Sequence, residues 1–437
     1  MELDNTMLAR ILTSLTLGFH IIFAALGVGI PVMISIAEWL GIRRNDPMYT
    51  LMARRWVKGF TVTVAVGVVT GTCISLQLSL LWPSFMKIAG EAIALPLFLE
   101  TFAFFFEAIF LGIYLYTWDR FANPYVHWFF SIPVVIGSTA SAFFIMTVNA
   151  FMNAPQGFTL QNGAIVDIQP LVAMFNPATP TKAGHMILSS YAASAFVLAA
   201  IAAWKLLKGS RHEYYRKALT FTIGLALLFS FGTALWGDLA GKYLAEYQPA
   251  KLAAAEWHFE TRPRAELVVG GVLDPETLEV KNALKLPYVL SILATGSPNG
   301  TVTGLDQIPR ELWPPLFIHY LFDGMVAIGV YMLIVPLLYF AVRRWKKGEV
   351  PRPLLRAIVL GAPLAFLAIE LGWIFSEIGR QPWILVGYMK TQHAATTADN
   401  VGQMLVLFGL LYAFLAVVCT LVLRRMFANK PVEAEWK

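Results

Sequence analysis

Nine apolar runs dominate the chain, and each is long enough to cross the roughly 30 Å hydrocarbon layer of a bilayer as a helix. Inside a bilayer every backbone polar group must be hydrogen-bonded within the protein, and a helix achieves this within one segment. The pattern therefore predicts an all-α membrane protein with about nine transmembrane helices. The runs fall at about 9–39, 57–82, 95–117, 127–150, 184–206, 217–240, 315–342, 354–378 and 402–424.

Composition supports a multi-pass membrane protein. Hydrophobic residues make up 57% of the chain and charged residues 14%, which is too apolar for a soluble multi-domain protein. The opening MELDNTMLAR carries acids where a secretory signal carries basic residues, so we expect the first run to be a retained helix. The sequence has no Walker loop, no GxGxxG after a strand and no HExxH. Phosphate, dinucleotide and zinc-hydrolase sites therefore find no support.

Basic residues gather after the odd-numbered runs, apart from a neutral third connector. Positive charge near helix ends marks the cytoplasmic side, so we predict an outer N-terminus and a cytoplasmic C-terminus. The same residues explain the net charge of +6 without a nucleic-acid partner. They are Arg43, Arg44, Arg54, Arg55 and Lys58; Lys205, Lys208, Arg211, Arg216 and Lys217; Arg343, Arg344, Lys346, Lys347, Arg352 and Arg356; and Arg424, Arg425 and Lys430.

One connector, residues 241–314, separates helices 1–6 in region 1–240 from helices 7–9 and a cytoplasmic tail in region 315–437. The orientation places this long connector outside, and a loop of that length is usually functional or disordered. Its segment QPAKLAAAEWHFET predicts a short amphipathic helix on the membrane interface, which could bind a ligand or serve only as a surface helix.

Two carboxylates lie within the third apolar run. Glu100 and Glu107 are seven residues apart, close to two helical turns, so both should point along one helix face. A charged acid at bilayer depth is costly unless it is paired, protonated or hydrated. The two residues are therefore either functional or a pair of protonated acids that hydrogen-bond between helices.

Three further side chains have the chemistry of haem ligands. His20 lies in the first run among small residues that let a flat macrocycle or a neighbouring helix approach, so a ligand and a packing residue both fit. His185 opens the fifth run and Met325 lies in the seventh, and histidine with methionine is an axial pair of low-spin haem. Most of the 15 methionines must simply pack as apolar side chains, so Met325 alone does not establish a haem.

The end of the eighth run reads GWIFSEIGRQPW, residues 372–383. Glu377 and Arg380 are three residues apart, close enough on a helix to pair or to bind an anionic group together. Gly379 and Pro382 suit a helix end. Taken alone, these residues favour an interfacial anchor with a structural ion pair.

Together these motifs resemble subunit I of the cytochrome bd family of quinol oxidases. The shared features are His20 in GFHIIF, Glu100 and Glu107 at their spacing, KLAAAE at 251–256 and EIGRQPW at 377–383. EIGRQPW is the most specific of them. The resemblance covers essentially the whole chain, including nine helices and the loop after the sixth.

The resemblance implies a respiratory enzyme that oxidises quinol at the outer face and reduces dioxygen to water with three haems. By position, His185 and Met325 match the axial ligands of a low-spin haem b. His20 matches an axial ligand of one high-spin haem of the oxygen-reducing pair, carried by region 1–240. That pair would consist of a high-spin haem b and either haem d or another haem b.

The resemblance also assigns the remaining polar residues at the oxygen-reducing pair. Glu377 and Glu100 match carboxylates there, one of which is an axial ligand. Arg380 and Trp373 match residues beside the haems. Glu107, with Ser141 as its helper, matches the proton route from the cytoplasm.

Lys251 and Glu256 match the quinol-binding pair of the outer loop. Quinol oxidation outside and proton uptake from inside would generate proton motive force without a pump. The implied partners are a second membrane subunit, subunit II, with or without a small single-helix subunit. The implied location is a bacterial or archaeal cytoplasmic membrane.

Some positions depart from the family pattern. The segment FDGM places Asp323 where the family has an arginine before its methionine ligand, and Leu76 replaces an acid before Gln77 in the second helix. The outer loop is of the short type. This divergence leaves haem b in place of haem d as an open expectation. Two other functions stay open: a haem-bearing electron-transfer anchor without oxygen reduction, and a proton-coupled transporter.

Overall fold

The computed structural model describes residues 4–161, 163–346, 348–429 and 431–432. Within these residues nine spans are long and apolar enough to cross a membrane, which confirms the predicted architecture. Lys347, Lys430 and the tail after residue 432 lie outside the described residues. The helices are α1 (Asn5–Arg44), α2 (Pro47–Leu81), α3 (Pro83–Tyr116), α4 (Pro124–Phe129), α5 (Ser131–Asn153), α6 (Pro170–Met174), α7 (Thr179–Leu207), α8 (Glu213–Tyr247), α9 (Pro249–Ala255), α10 (Val289–Thr295), α11 (Ile318–Trp345), α12 (Arg352–Ile378) and α13 (Val401–Asn429).

Eight of the nine described spans are longer than the apolar runs that predicted them, α11 has the same length as its run, and α4 with α5 forms a single span. The largest difference is in α3, which begins at Pro83 although the apolar run begins near residue 95. Lys87 and Glu91 interrupt the hydropathy there, but a helix continues past the hydrocarbon layer wherever its backbone bonds can form. Pro83 suits the first helical position because that residue needs no amide donor.

The most buried span, α7, packs against α8, α12, α1 and α5. Its inner faces carry alanines, whose small side chains allow neighbouring helices to approach closely. By contrast, α13 is the most exposed span and packs mainly against α1 and α2. The bundle therefore places α1, α7 and α12, which carry His20, His185 and Glu377, in mutual contact.

Three of the five antiparallel strand pairs that the structure describes, and two short helices, lie in the outer loop. The predicted short helix forms as α9, but it is packed inside the protein and is not a surface helix. Residues 251–255 are all buried, because α9 packs against α8 and α11. The strands are β1 (Thr159–Gln161) with β2 (Ala164–Val166), β3 (Arg262–Pro263) with β8 (Thr301–Val302), β4 (Leu267–Val269) with β7 (Leu284–Leu286), β5 (Val272–Leu273) with β6 (Val280–Lys281), and β9 (Trp383–Leu385) with β10 (Met389–Lys390).

Candidate functional site

Both acids of α3 face α5, as their spacing predicts. Glu107 is 5% exposed. A Cβ added to Gly137 of α5 would lie 2.9 Å from the main-chain nitrogen of Glu107, so this glycine permits the two helices to touch. Glu100, two turns earlier on α3, accepts a hydrogen bond from Ser141 Oγ at 3.0 Å.

Ser141 therefore contacts Glu100 and not Glu107, for which it was expected to be the helper. The reason is the antiparallel packing of α3 and α5. Gly137 lies beside Glu107, and one turn further along α5 moves back along α3 towards its start. The predicted contact between the two helices, α3 and α5, is present, but Ser141 lies beside Glu100 and not beside Glu107.

His20 has a hydrogen-bond partner on one ring nitrogen. Its Nδ1 lies 2.8 Å from Thr70 Oγ1, and that hydroxyl lies 2.9 Å from the main-chain oxygen of Val66. With the hydroxyl donating to Val66, it can accept from Nδ1–H, which leaves the lone pair on Nε2 available. Gly71 leaves room beside the ring, since an added Cβ would lie 3.3 Å from its Cε1 atom. This arrangement is the one expected of a ligating histidine.

His185 on α7 shows the same arrangement. Its Nδ1 lies 3.1 Å from the carbonyl oxygen of Thr233, which can only accept, so Nε2 again keeps its lone pair. An added Cβ at Gly237 would lie 3.4 Å from the ring. Met325 on α11 lies against Gly372 of α12, where an added Cβ would be 3.0 Å from the sulfur. Glycines thus keep space beside both predicted low-spin ligands.

Buried polar groups surround Glu377 at the end of α12. Its carboxylate accepts hydrogen bonds from Asn149 Nδ2 at 2.7 Å and from Arg380 Nη2 at 2.5 Å. The predicted Glu377–Arg380 ion pair is therefore present. Lys182 of α7 donates to Asn149 Oδ1 at 3.1 Å and to Ser376 Oγ at 3.0 Å. Trp373, half-buried, lies one turn before Glu377.

Lys251 brings the outer loop into the same group. Its Nζ donates to the main-chain oxygen of Ser376 at 2.8 Å. Burial, reinforced by the positive charge of Lys182, holds the pKa of Lys251 well below its usual range. Lys182, Lys251 and Arg380 with the single carboxylate of Glu377 form what we call the cation cluster. Its positive groups outnumber its negative one.

The cation cluster fits an anionic cofactor. Arg380 is 6% exposed, yet its Nε and Nη1 atoms have no hydrogen-bond partner. A buried charged donor without an acceptor is costly, so such groups normally meet an acceptor. Carboxylate side chains such as haem propionates would supply both the acceptors and the missing negative charge. With the free Nε2 atoms of His20 and His185, the residues present fit haem.

Glu256 lies on the other side of α9. It is 3% exposed, and its Oε2 atom has no hydrogen-bond partner. Burial, with the nearby negative charge of Asp323, raises the pKa of Glu256 to about 8. Lys251 contacts Ser376 of α12, whereas the charge that acts on Glu256 is that of Asp323 on α11. The two residues of the expected quinol pair therefore lie on different sides of α9.

Asp323, which stands at the family's arginine position, serves the outer loop. Its Oδ2 atom accepts a hydrogen bond from Gly270 N at 2.5 Å. One turn earlier, His319 stacks on Trp257 with ring centroids 3.8 Å apart. The acid thus anchors the loop to α11.

Sequence reasoning missed Lys182, Asn149 and Glu370. Lys182 had a usable signal, because it stands three residues before His185 at the mouth of an apolar run. Asn149 and Glu370 also lie in apolar runs, but nothing local shows that Asn149 meets Glu377 or that Glu370 lies beside Gly18.

Comparison with known proteins decides the family. The model of the cytochrome bd terminal oxidase subunit I family matches residues 8–431. The chain belongs to the cytochrome bd terminal oxidase subunit I family. Members are haem-binding proteins, and this one is a multi-pass protein of the bacterial membrane and a terminal oxidase subunit, as predicted.

Relatives agree along the full length. A Bacillus subtilis protein named provisionally as a cytochrome bd menaquinol oxidase subunit I is 41% identical, over 99% of both chains. The cytochrome bd ubiquinol oxidase subunit 1 of the same organism is 31% identical over 95% of this chain and 92% of its own. The solved bd oxidase from Geobacillus thermodenitrificans is 60% identical, covers 98% of this chain and 99% of its own, and superposes with a TM-score of 0.94.

Proposed function

We propose that the chain is the haem-carrying subunit of a quinol oxidase that oxidises quinol at the outer face and reduces dioxygen to water. Lys251 of the outer loop and Arg380 of the EIGRQPW motif meet in the cation cluster, and this observation carries the proposal. Basic residues such as Arg43 and Arg44 support an outer N-terminus. Residues 241–314 would then form the quinol-binding loop on the outside.

Haem bound to this chain would supply the electron transfer and the reduction of dioxygen. His185 and Met325 would hold a low-spin haem b, and His20 one high-spin haem of the oxygen-reducing pair. Glu100 or Glu377 would be a ligand in the same pair, which would consist of a high-spin haem b and either haem d or a third haem b. Lys182 and Arg380 in the cation cluster would bind carboxylate side chains, and Trp373 would pack beside the group.

Protons would move at two places. Glu256, whose pKa is about 8, would accept a proton from the quinol hydroxyl at the outer face. Glu107 and then Glu100, with Ser141, would deliver protons from the cytoplasmic side. Release outside with uptake inside would produce proton motive force without a pump.

The quinol class follows from relatives whose names include both menaquinol and ubiquinol oxidases. A subunit II, with or without a small single-helix subunit, would complete the enzyme. Unpartnered apolar side chains on the outer face of α13 are consistent with such contacts or with lipid.

Reduced-minus-oxidised spectra and quinol-dependent oxygen uptake of the purified complex test the proposal. We expect haem bands and oxygen uptake that depends on quinol. Haem without oxygen uptake would instead indicate an electron-transfer anchor. Absence of haem would leave a proton-coupled transporter.

A further inference from the structure

A second buried polar cluster lies at the opposite end of α3, where α1, α3 and α4 meet. Glu38 Oε1 lies 2.6 Å from His127 Nδ1, and Glu38 Oε2 accepts a hydrogen bond from the Tyr114 hydroxyl at 2.6 Å. His127 Nε2 donates to the main-chain oxygen of Tyr114 at 2.9 Å. Each of the three side chains is 2% exposed. We call Glu38, Tyr114 and His127 the Glu38 triad.

The hydrogen bonds of the Glu38 triad require one exchangeable proton. The carbonyl oxygen of Tyr114 can only accept, so His127 Nε2 carries a proton. A contact of 2.6 Å between Nδ1 and Oε1 also needs a proton between the two atoms. That proton belongs either to His127, as imidazolium beside carboxylate, or to Glu38, as carboxylic acid beside imidazole. The pair therefore shares one proton between His127 Nδ1 and Glu38 Oε1.

The Glu38 triad is aligned with the acids of α3. Glu100, Glu107 and Tyr114 follow one another at intervals of seven residues, so they share one helix face at steps of about 10 Å. Tyr114 lies near the end of α3 that the basic residues assign to the cytoplasm. The face thus runs from the Glu38 triad to Glu107 and on to Glu100.

A small cavity of about 10 Å³ adjoins Tyr114 where α1, α2, α3 and α5 meet. Tyr114 and Ser131 are its polar lining residues, and the other six, among them Leu111 and Val134, are apolar. A space of this size with polar groups on its wall is enough for one water molecule. Such a water would extend the hydrogen-bond chain from Tyr114 towards Glu107.

Other charged groups near the Glu38 triad lie on its surface side. The Trp118 ring lies against His127 with centroids 4.2 Å apart, and Arg54 of α2 lies 4.9 Å from the centroid of the Trp118 ring. Arg54 also pairs with Asp119, which is exposed. The triad is therefore one layer below the surface, behind a tryptophan and an ion pair.

We propose that the Glu38 triad loads protons from the cytoplasm and passes them to Glu107, an inference that rests on the proposed oxidase function. In each transfer the Tyr114 hydroxyl turns from Glu38 Oε2 towards the cavity, its proton passes through water to the Glu107 carboxylate, and the Glu38 carboxyl protonates the Tyr114 oxygen. His127 then gives its Nδ1 proton to the Glu38 carboxylate and takes up another from the cytoplasmic side. No electrons move, and each O–H or N–H bond that breaks is matched by one that forms.

The test uses the complete two-subunit oxidase carrying Glu38→Gln or Tyr114→Phe. Both substitutions preserve shape but remove an exchangeable proton. We expect unchanged haem spectra and a turnover reduced about 10-fold or more, the scale of a lost acid–base group. We also expect the solvent deuterium isotope effect on turnover to increase in each variant and its pH profile to differ from that of the unmodified oxidase, which a purely structural role would not produce.

Tyr331→Phe is the matched control. It also removes a tyrosine hydroxyl from the bundle, but one that donates to the main-chain oxygen of Ala357 at 2.6 Å, between α11 and α12. We expect wild-type turnover and pH profile from it. If Glu38→Gln loses haem, its turnover no longer tests the inference. Tyr114→Phe then tests it alone, because this substitution removes a single oxygen atom.

Wild-type turnover and pH profile in Tyr114→Phe would overturn the inference, and so would the same result in a haem-replete Glu38→Gln. The proposed function fails separately, if the unmodified oxidase consumes no oxygen with quinol. If Glu107→Gln is slow while Tyr114→Phe is normal, the proposed oxidase function stands and only the role of the Glu38 triad is rejected.

Discussion

Lys251 of the outer loop donates a hydrogen bond to the main-chain oxygen of Ser376, the residue directly before Glu377. This contact links the loop that is proposed to bind quinol to the helix whose carboxylate is proposed to lie at the haems. The position of α9 and the position of the Glu377 carboxylate are therefore coupled by one buried bond.

Lys251→Ala should impair quinol oxidation while leaving haem content intact. Removing this buried hydrogen bond costs about 1–3 kcal/mol, so we expect quinol-dependent turnover to fall by about 10-fold. Lys242→Ala is the control, because Lys242 lies in α8 near the same loop but forms an exposed pair with Asp238. Loss of all haem in Lys251→Ala would contradict the assignment of the loop.

Glu256 should give quinol oxidation a pH dependence. Because its pKa is about 8, Glu256 is protonated at lower pH and cannot accept the quinol proton. Turnover should therefore increase as pH rises through about 8, and Glu256→Gln should abolish that increase. A pH profile that is the same in the variant would show that another group accepts the proton.

The same shift predicts a stability effect with a definite sign. The folded protein keeps the Glu256 proton up to about pH 8, whereas an unfolded chain releases it near the ordinary value of 4.5. The unfolded state thus binds fewer protons between these values, so stability falls as pH rises across this window. Thermal unfolding of Glu256→Gln should show a smaller decrease across the same range.

Arg380→Gln should lower haem retention. The substitution removes the cation paired with Glu377 and the two unpaired donors of the cation cluster. Breaking a buried pair costs about 3–5 kcal/mol. Haem per chain should decrease in Arg380→Gln but not in Arg262→Gln, which alters an exposed pair with Glu266. Full haem content in Arg380→Gln would show that the two unpaired donors of Arg380 are not needed to hold haem.

Loss of Glu107 should slow oxygen reduction far more than loss of the hydrogen bond between Ser141 and Glu100. Glu107→Gln should slow oxygen reduction and charge movement by about 100-fold, the loss typical of a proton-transfer group. Ser141→Ala removes one neutral hydrogen bond to Glu100, so an effect of about fivefold is expected. Wild-type charge movement in Glu107→Gln would contradict the proposed direction along α3.

Much of this architecture could be predicted because it follows from local periodicity. Apolar runs located the spans, and the seven-residue spacing placed Glu100 and Glu107 on one face. The ion pair of Glu377 with Arg380 was predictable for the same reason, since both lie on one turn. The roles of the motifs came from the family resemblance.

The remaining features depend on contacts between segments far apart in the chain. The burial of α9 requires the docking of the outer loop onto α11, which composition does not encode. Ser141 meets Glu100 because α3 and α5 are antiparallel and touch at Gly137. Asn149 and Lys182 join Glu377 from two other helices. Single-segment patterns cannot specify such meetings.

Quinol-dependent oxygen consumption by the purified complex, with haem quantified per copy of this chain, tests the central claim most directly. The account predicts three haems per chain and oxygen uptake that requires quinol and is lost in Lys251→Ala. A complex without haem, or one with haem that consumes no oxygen when quinol is supplied, would contradict it.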